Sequence, residues 1–177
     1  DGYPVTIRTL DPPLNEFLPH EDEAIEQLAG HMGVAAQTLK KKVEDLKETK
    51  YIIIDVRFNG GGQDVVALEI LKCFNANRKQ IASKKARHYD GFTKKTPIYL
   101  DSTKNPYTKP VYLLTSQQSA SATDMMSLSS MELNQLKRIG SHTNGATSDA
   151  LQKTLPNGWH FSLSNEIYTD NNEKHYE

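Results

Sequence analysis

This 177-residue chain lacks any apolar stretch approaching the ~18 residues needed to span a membrane. Neither sign of charge is in excess: 21 Lys and Arg balance 22 Asp and Glu, a formal charge of -1, so no global field points to nucleic acid or an anionic membrane. A single cysteine, Cys73 in "VVALEILKCF", excludes an internal disulfide and is expected to serve packing. The G-x-x-x-x-G-K-[ST] pattern of a P-loop is missing as well. No signal-peptide pattern opens the chain, and "DGYPVTIRTL" reads as the middle of a fold, so a leader or an upstream piece is expected to precede it. Apolar residues make up 37% and mean hydropathy is -0.62, which suits one folded domain, or one and a fraction.

What is present reads as α/β. "PVTIRTL" alternates and is β-branched, a strand stopped by Asp11-Pro12-Pro13. Helical spacing follows over 21–32 (Ile25, Leu28, Met32) and 36–48 (Leu39, Val43, Leu46), with "KKK" on the wetted side. "YIIIDVRF" is a continuous apolar run, the mark of a strand buried on both faces, and it ends in Asn59-Gly60-Gly61-Gly62 before the helical "QDVVALEILKCFNA". A second unit repeats the order: strand "KPVYLLT", turn "SQQSASA", helix "TDMMSLSSMEL". A strand is expected near 80–88, another at "LKRIGS", and a hairpin in "LQKTLPNGWHFSLSNEIYT" turning at Pro156-Asn157-Gly158.

Ligand and catalytic groups in such sheets gather outside the carboxyl ends of strands, where both small-residue turns lie. Consecutive glycines let N–H groups point into a cleft, and a serine heading a helix has its hydroxyl near that helix's N–H groups. Two readings stand. One is a nucleophile with an oxyanion hole; the other is a tight turn, with Ser119, Ser121 or Thr123 as an N-cap.

The motifs "IIIDVRFNGGG", "PVYLLTSQQSASATD", "IGSHTNGATS" and "LPNGWHFSLSNEIYTDNNEKHYE", in that order, resemble the C-terminal processing peptidase superfamily, which includes the tail-specific and tricorn proteases. The resemblance covers residues 50–177. It implies a peptidase-like sheet with flanking helices, Ser121 of "SASATD" as nucleophile, and an oxyanion hole from the N–H of Ala122 and of Gly61. The tail-specific branch uses a lysine base in a motif like G-E-x-T-x-G-K; here "GSHTNGA" puts Ala146 at the lysine's place, so that dyad is absent. The tricorn-like branch uses an upstream histidine and a late glutamate. Glu177 falls where the glutamate belongs, and His142 and His160 are the nearest histidines in the matching region.

Residues 1–49 resemble a different family. "PVTIRTLDPPLNEFLPH" and the two helices after it are similar to the phosphoenolpyruvate-binding barrel of pyruvate phosphate dikinase, and Arg8 matches an arginine that contacts the substrate phosphate. One strand and two helices cannot close a barrel. The chain thus reads as two partial families joined near residues 49–51, an incomplete dikinase segment, 1–49, and a peptidase-like domain, 50–177. An engineered chimera, a sequence artefact and a natural rearrangement are all open as the origin of the join. The fold class expected is mixed α/β and α+β, with an N-terminal strand and two helices added to the peptidase-like sheet.

Three functions are expected to compete: a serine endopeptidase acting on peptide or protein substrates, a non-catalytic peptidase-fold binding module, and a phosphoenolpyruvate-linked transferase fragment. The peptidase resemblance implies no metal and no organic cofactor, and work outside the cytoplasm; the dikinase resemblance implies the cytoplasm.

Overall fold

In the computed structural model, the backbone of residues 5–8 and all of residues 46–176 are described. The helices expected over 21–32 and 36–48 lie outside that range, apart from residues 46–48 at the end of the second. In chain order the elements are β1 (Val5–Arg8), β2 (Ile52–Asp55), α1 (Asp64–Lys72), β3 (Lys79–His88), β4 (Gly91–Phe92) and β5 (Thr96–Leu100). Then come β6 (Val111–Thr115), α2 (Ala122–Ser130), β7 (Leu136–Gly140), β8 (Ala150–Thr154), β9 (His160–Ser164) and β10 (Glu166–Thr169).

One sheet is parallel throughout, in the order β1-β2-β6-β7. Its register sets Ile52 against Val111 and Asp55 against Leu114, which brings the carboxyl ends of β2 and β6 level. Arg8 pairs in register with Asp55, so the strand expected for a dikinase barrel lies at the edge of this sheet. Thr49, beside the expected junction, is buried and donates its hydroxyl to Leu46 O at 2.7 Å, with the Tyr107 hydroxyl 2.9 Å away.

The second sheet is antiparallel, with β3 between β5 and β10 and a register shift between Gln80 and Ala82. Helices α1 and α2 pack on one face of the parallel sheet. Ile52, Ile54, Val111 and Leu113 from the strands, Ala67, Ile70 and Leu71 from α1, and Met126 from α2 share one core. Met125 and Leu128 belong instead to a smaller core with Ala82 and Tyr168 of the antiparallel sheet. A helix gripped from both sides has no solvent face. All nine residues of α2 are buried, so small and hydroxyl side chains replace the usual polar stripe.

The apolar run expected to be buried on both faces is a shorter strand with Ile53 only half-buried. Asp55 ends it, because its carboxylate turns to the Arg57 guanidinium: Nε to Oδ1 at 2.9 Å and Nη2 to Oδ2 at 2.7 Å. The expected hairpin is β8–β9, turned at residues 156–158. Its last segment leaves the ribbon and becomes β10, pairing Tyr168 with Lys84 of β3. No helix among the described residues is long and apolar enough to cross a membrane.

Candidate active site

The hydroxyls of "SQQSASATD" have separate fates. Ser119 is fully buried; its Oγ accepts from Ser116 N at 3.0 Å and donates to Val56 O at 2.8 Å, tying the turn after β6 to the end of β2. Ser116 Oγ donates to Arg57 O and accepts from Gln118 N. Thr123 is also fully buried and donates to Asn59 Oδ1 at 3.0 Å. These hydroxyls hold the turn. Ser121 is exposed, occupies the N-cap position of α2 and makes no side-chain capping bond. Its backbone sits at φ 56° and ψ -121°, a region that costs a side-chain-bearing residue on the order of 1–3 kcal/mol and is held by its surroundings.

Those surroundings are the glycine bend. Asn59 is buried and its Oδ1 accepts from Gly61 N at 2.9 Å as well as from Thr123, while its own carbonyl accepts from Ala120 N at 3.2 Å. Gly61 has φ +114°, and a Cβ placed on it would stand 2.5 Å from Ser121 Cβ and 2.7 Å from Ala120 O. The bend and the serine therefore touch, and only glycine permits it. Ala122, the first residue of α2, is buried beside Ser121, and its N–H is one of the helix donors without an intrahelical acceptor. The Gly61 N–H is directed at Asn59, so holding an oxyanion there means sharing or exchanging that bond.

The third motif closes over the same turn. Thr115 Oγ1 donates to Ser141 O at 2.8 Å, Asn144 N to Ser119 O at 2.8 Å, and Gly145 N to Asp124 Oδ1 at 2.8 Å. Ala146, at the lysine's place, follows directly on that last bond. His142 is exposed, with Nε2 3.2 Å from Gln117 Nε2 and Nδ1 3.0 Å from Thr143 O. His160 lies on the hairpin, 3.0 Å from Thr154 Oγ1. The structure thus joins Ser121, Gly61 and Ala122, and seats the His142 loop beside them with its imidazole engaged elsewhere. Glu177 lies outside the described residues, as does the side chain of Arg8. The turn leading to Glu177 is ordered by Asp170, whose Oδ1 accepts from the N–H of Asn172 and of Lys174 and whose Oδ2 accepts from the Tyr176 hydroxyl. Burial acts to raise the Asp170 carboxyl, but these hydrogen bonds outweigh it and hold it below the ordinary range.

Asn59, Asp124 and Lys84 are the contributors that sequence reading missed. Asp124 is buried, with Oδ2 unpartnered among the described residues, and lines an open cavity of about 840 Å³ with Thr115, Ser127, His142, Gly145 and His175. An acid three positions beyond the serine was the available signal. Lys84 had none. Its ammonium meets Asp149 Oδ2 at 3.1 Å, Glu166 Oε1 at 3.0 Å and the Tyr168 hydroxyl at 3.2 Å, fastening the root of the hairpin to β3. Burial pulls the Lys84 ammonium down, and the bonds to Glu166, Tyr168 and Asp149 more than reverse it. Burial and the neighbouring Asp149 push the Asp64 carboxyl up, against the pull of Lys84. Burial, then the Glu69 charge, push the Cys73 thiol up to about 11.

Among the described residues no cluster of His, Cys, Asp and Glu is arranged to hold a metal. Comparison with known proteins agrees with this geometry at the level of fold and family. A peptidase-assigned protein of Parabacteroides merdae superimposes with a TM-score of 0.70 at 30% identity, over 81% of this chain and 47% of that one. A lipoprotein of Streptococcus agalactiae shares the fold with a TM-score of 0.63 at 20% identity, over 98% of this chain and 57% of that one. A short stretch, 27% of the chain, is 48% identical over 48 residues to the pyruvate, phosphate dikinase of Clostridium symbiosum, of which it covers 6%. The chain spans about half the length of the two structural relatives and a small fraction of the dikinase. Peptidase family S41 matches residues 24–177, beginning upstream of the boundary expected at 49–50. With that match running through both turns and the loop that closes on them, the chain belongs to peptidase family S41.

Proposed function

We propose that the chain carries a serine peptidase centre of the tricorn-like kind, cleaving peptide bonds with Ser121 as nucleophile. The observation that carries this reading is the strained, exposed Ser121 pressed against Gly61, while its neighbours Ser119 and Thr123 are consumed in holding the turn. In the proposed reaction Ser121 Oγ attacks the peptide carbonyl and gives its proton to an imidazole. The Ala122 N–H and the glycine bend take the developing negative charge, and the leaving amine collects the proton. His142 is the imidazole that the matching loop offers, with Glu177 as the orienting acid. Ala146 supports a scheme without a lysine base, because a methyl group accepts no proton. The same reading places the work outside the cytoplasm; recovery of the native protein only in the cytoplasmic fraction overturns that part.

A fluorogenic, unfolded peptide substrate tests the proposal. The Ser121→Ala protein is expected to lose activity by on the order of 10⁴-fold or more, and His142→Ala by a comparable factor. Activity retained in His142→Ala assigns the base to another group. Equal background rates for the parent chain and Ser121→Ala favour the second reading, a binding module that keeps the cleft; the bonds of His142 to Gln117 and Thr143 speak for it. The third reading, a phosphate contact at Arg8, rests on the short dikinase likeness. It fails if phosphoenolpyruvate produces no thermal shift.

A further inference from the structure

The β8–β9 ribbon is amphipathic, and its apolar side is uncovered among the described residues. Its register sets Leu151 opposite Leu163 and Lys153 opposite Phe161, and the bond from Leu155 N to Trp159 O extends the ladder by one pair. Alternation puts these three pairs on one face, since every second position along a strand points the same way. On that face Leu151 is 38% exposed, Leu155 41%, Trp159 72%, Phe161 40% and Leu163 50%. The other face carries Gln152, Thr154, His160, Ser162 and Ser164. A two-stranded ribbon is marginal in water by itself, and one with five large apolar side chains exposed on one face marks an interaction surface.

We propose that this face is the contact between two copies of the chain, packed ribbon on ribbon about a two-fold axis. The face is single-sided, so an identical face completes it: the two apolar rows interdigitate about 10 Å apart, as sheets in a sandwich do, and both polar faces remain in water. Area supports a second copy. Five large side chains at these exposures offer on the order of 500 Å² per chain, and the two together reach the ~1,000 Å² that a specific interface needs. Charge does not oppose it, because the chain carries a net -1. The single cation of the face, Lys153, sits at the middle pair, and the proposed packing requires its aliphatic stem to lie along the row with the ammonium turned to the rim. The ribbon is held by its root, where Lys84 binds Asp149 and Glu166, and among the described elements β8 and β9 pack chiefly on each other.

Trp159 is the only tryptophan of the chain and therefore reports this contact without labelling. Light scattering of the parent protein at ~100 μM, where a dimer of ~10 μM affinity is mostly assembled, is expected to give twice the 19.9 kDa of one chain. Trp159 emission is expected to shift to the blue over the same concentration range. The double variant Phe161→Lys, Leu163→Lys is expected to be monomeric with solvent-exposed emission, and Gln152→Lys on the opposite face to stay dimeric. Should the double variant lose its far-UV circular dichroism, Trp159→Ser, at the exposed tip, replaces it in the mass measurement. A parent protein that stays monomeric overturns the proposal, and so does a dimer that survives these variants. Emission that shifts only on adding an unfolded polypeptide also overturns it, and assigns the face to a client chain instead.

Discussion

The serine turn and the β8–β9 ribbon were both expected from small-residue punctuation between apolar runs, yet they solve opposite problems. At the turn, polar atoms are buried and paired across long sequence separations: Ser119 to Val56, 63 positions apart, and Thr123 to Asn59, 64 apart. In the ribbon, partners are near neighbours in sequence, as Thr154 and His160 are at six positions, and every residue of both strands is exposed. The first region uses burial to fix the position of one hydroxyl. The second keeps its apolar surface available. Buried hydrogen bonding across the chain, rather than regular secondary structure, is what sets the turn apart from the ribbon.

The contrast has measurable edges. The largest effect is expected from Gly61→Ala, whose methyl enters the space of Ser121 Cβ and Ala120 O. Overpacking of about 1–3 kcal/mol, added to the strain of a positive φ, should lower the thermal midpoint. Under the proposed reaction, peptidase activity should fall by ~10²-fold or more, because the bend and Ser121 part. A variant that melts and turns over like the parent would show that the two turns are independent. Asn59→Ala comes next. It leaves the Gly61 N–H and the Thr123 hydroxyl without their shared acceptor, at about 2–3 kcal/mol, measurable as a shifted urea midpoint at constant slope. Smallest is Thr154→Ala in the ribbon, which removes only an exposed contact to His160 and should change stability by less than ~0.5 kcal/mol. A loss there as large as that of Asn59→Ala would erase the distinction between the regions.

Much of this was legible in the sequence, and the residues show why. "KPVYLLT", the small turn and "TDMMSLSSMEL" gave strand, turn and helix, since local alternation and helical spacing determine them. Pro156-Asn157-Gly158 gave the hairpin for the same reason. Spacing left three hydroxyls equivalent at the turn. What separates Ser121 from Ser119 and Thr123 is Val56 O and Asn59 Oδ1, atoms some sixty residues upstream that no local window contains. The departure of β10 to join β3 escaped for a related reason. Glu166 and Tyr168 gather with Lys84, 82 and 84 positions away, and the pattern of "NEIYT" carries no trace of that partner. The apolar row of β8 and β9 was visible as residue types. Its exposure was not, because exposure depends on what the rest of the chain leaves uncovered.

The parallel crossover between β2 and β6 also orders events in time. Parallel pairing between strands some sixty residues apart assembles slowly, because its non-local contacts reward the chain only late, whereas a hairpin joined by a short turn forms within microseconds. A refolding chain is accordingly expected to present its apolar ribbon before Asn59 reaches Thr123, and so to pass through a stage at which that face is exposed while the serine turn is still unset. Pulse-labelled hydrogen exchange should record that interval as early protection of the Leu155 amide and late protection of Gly61.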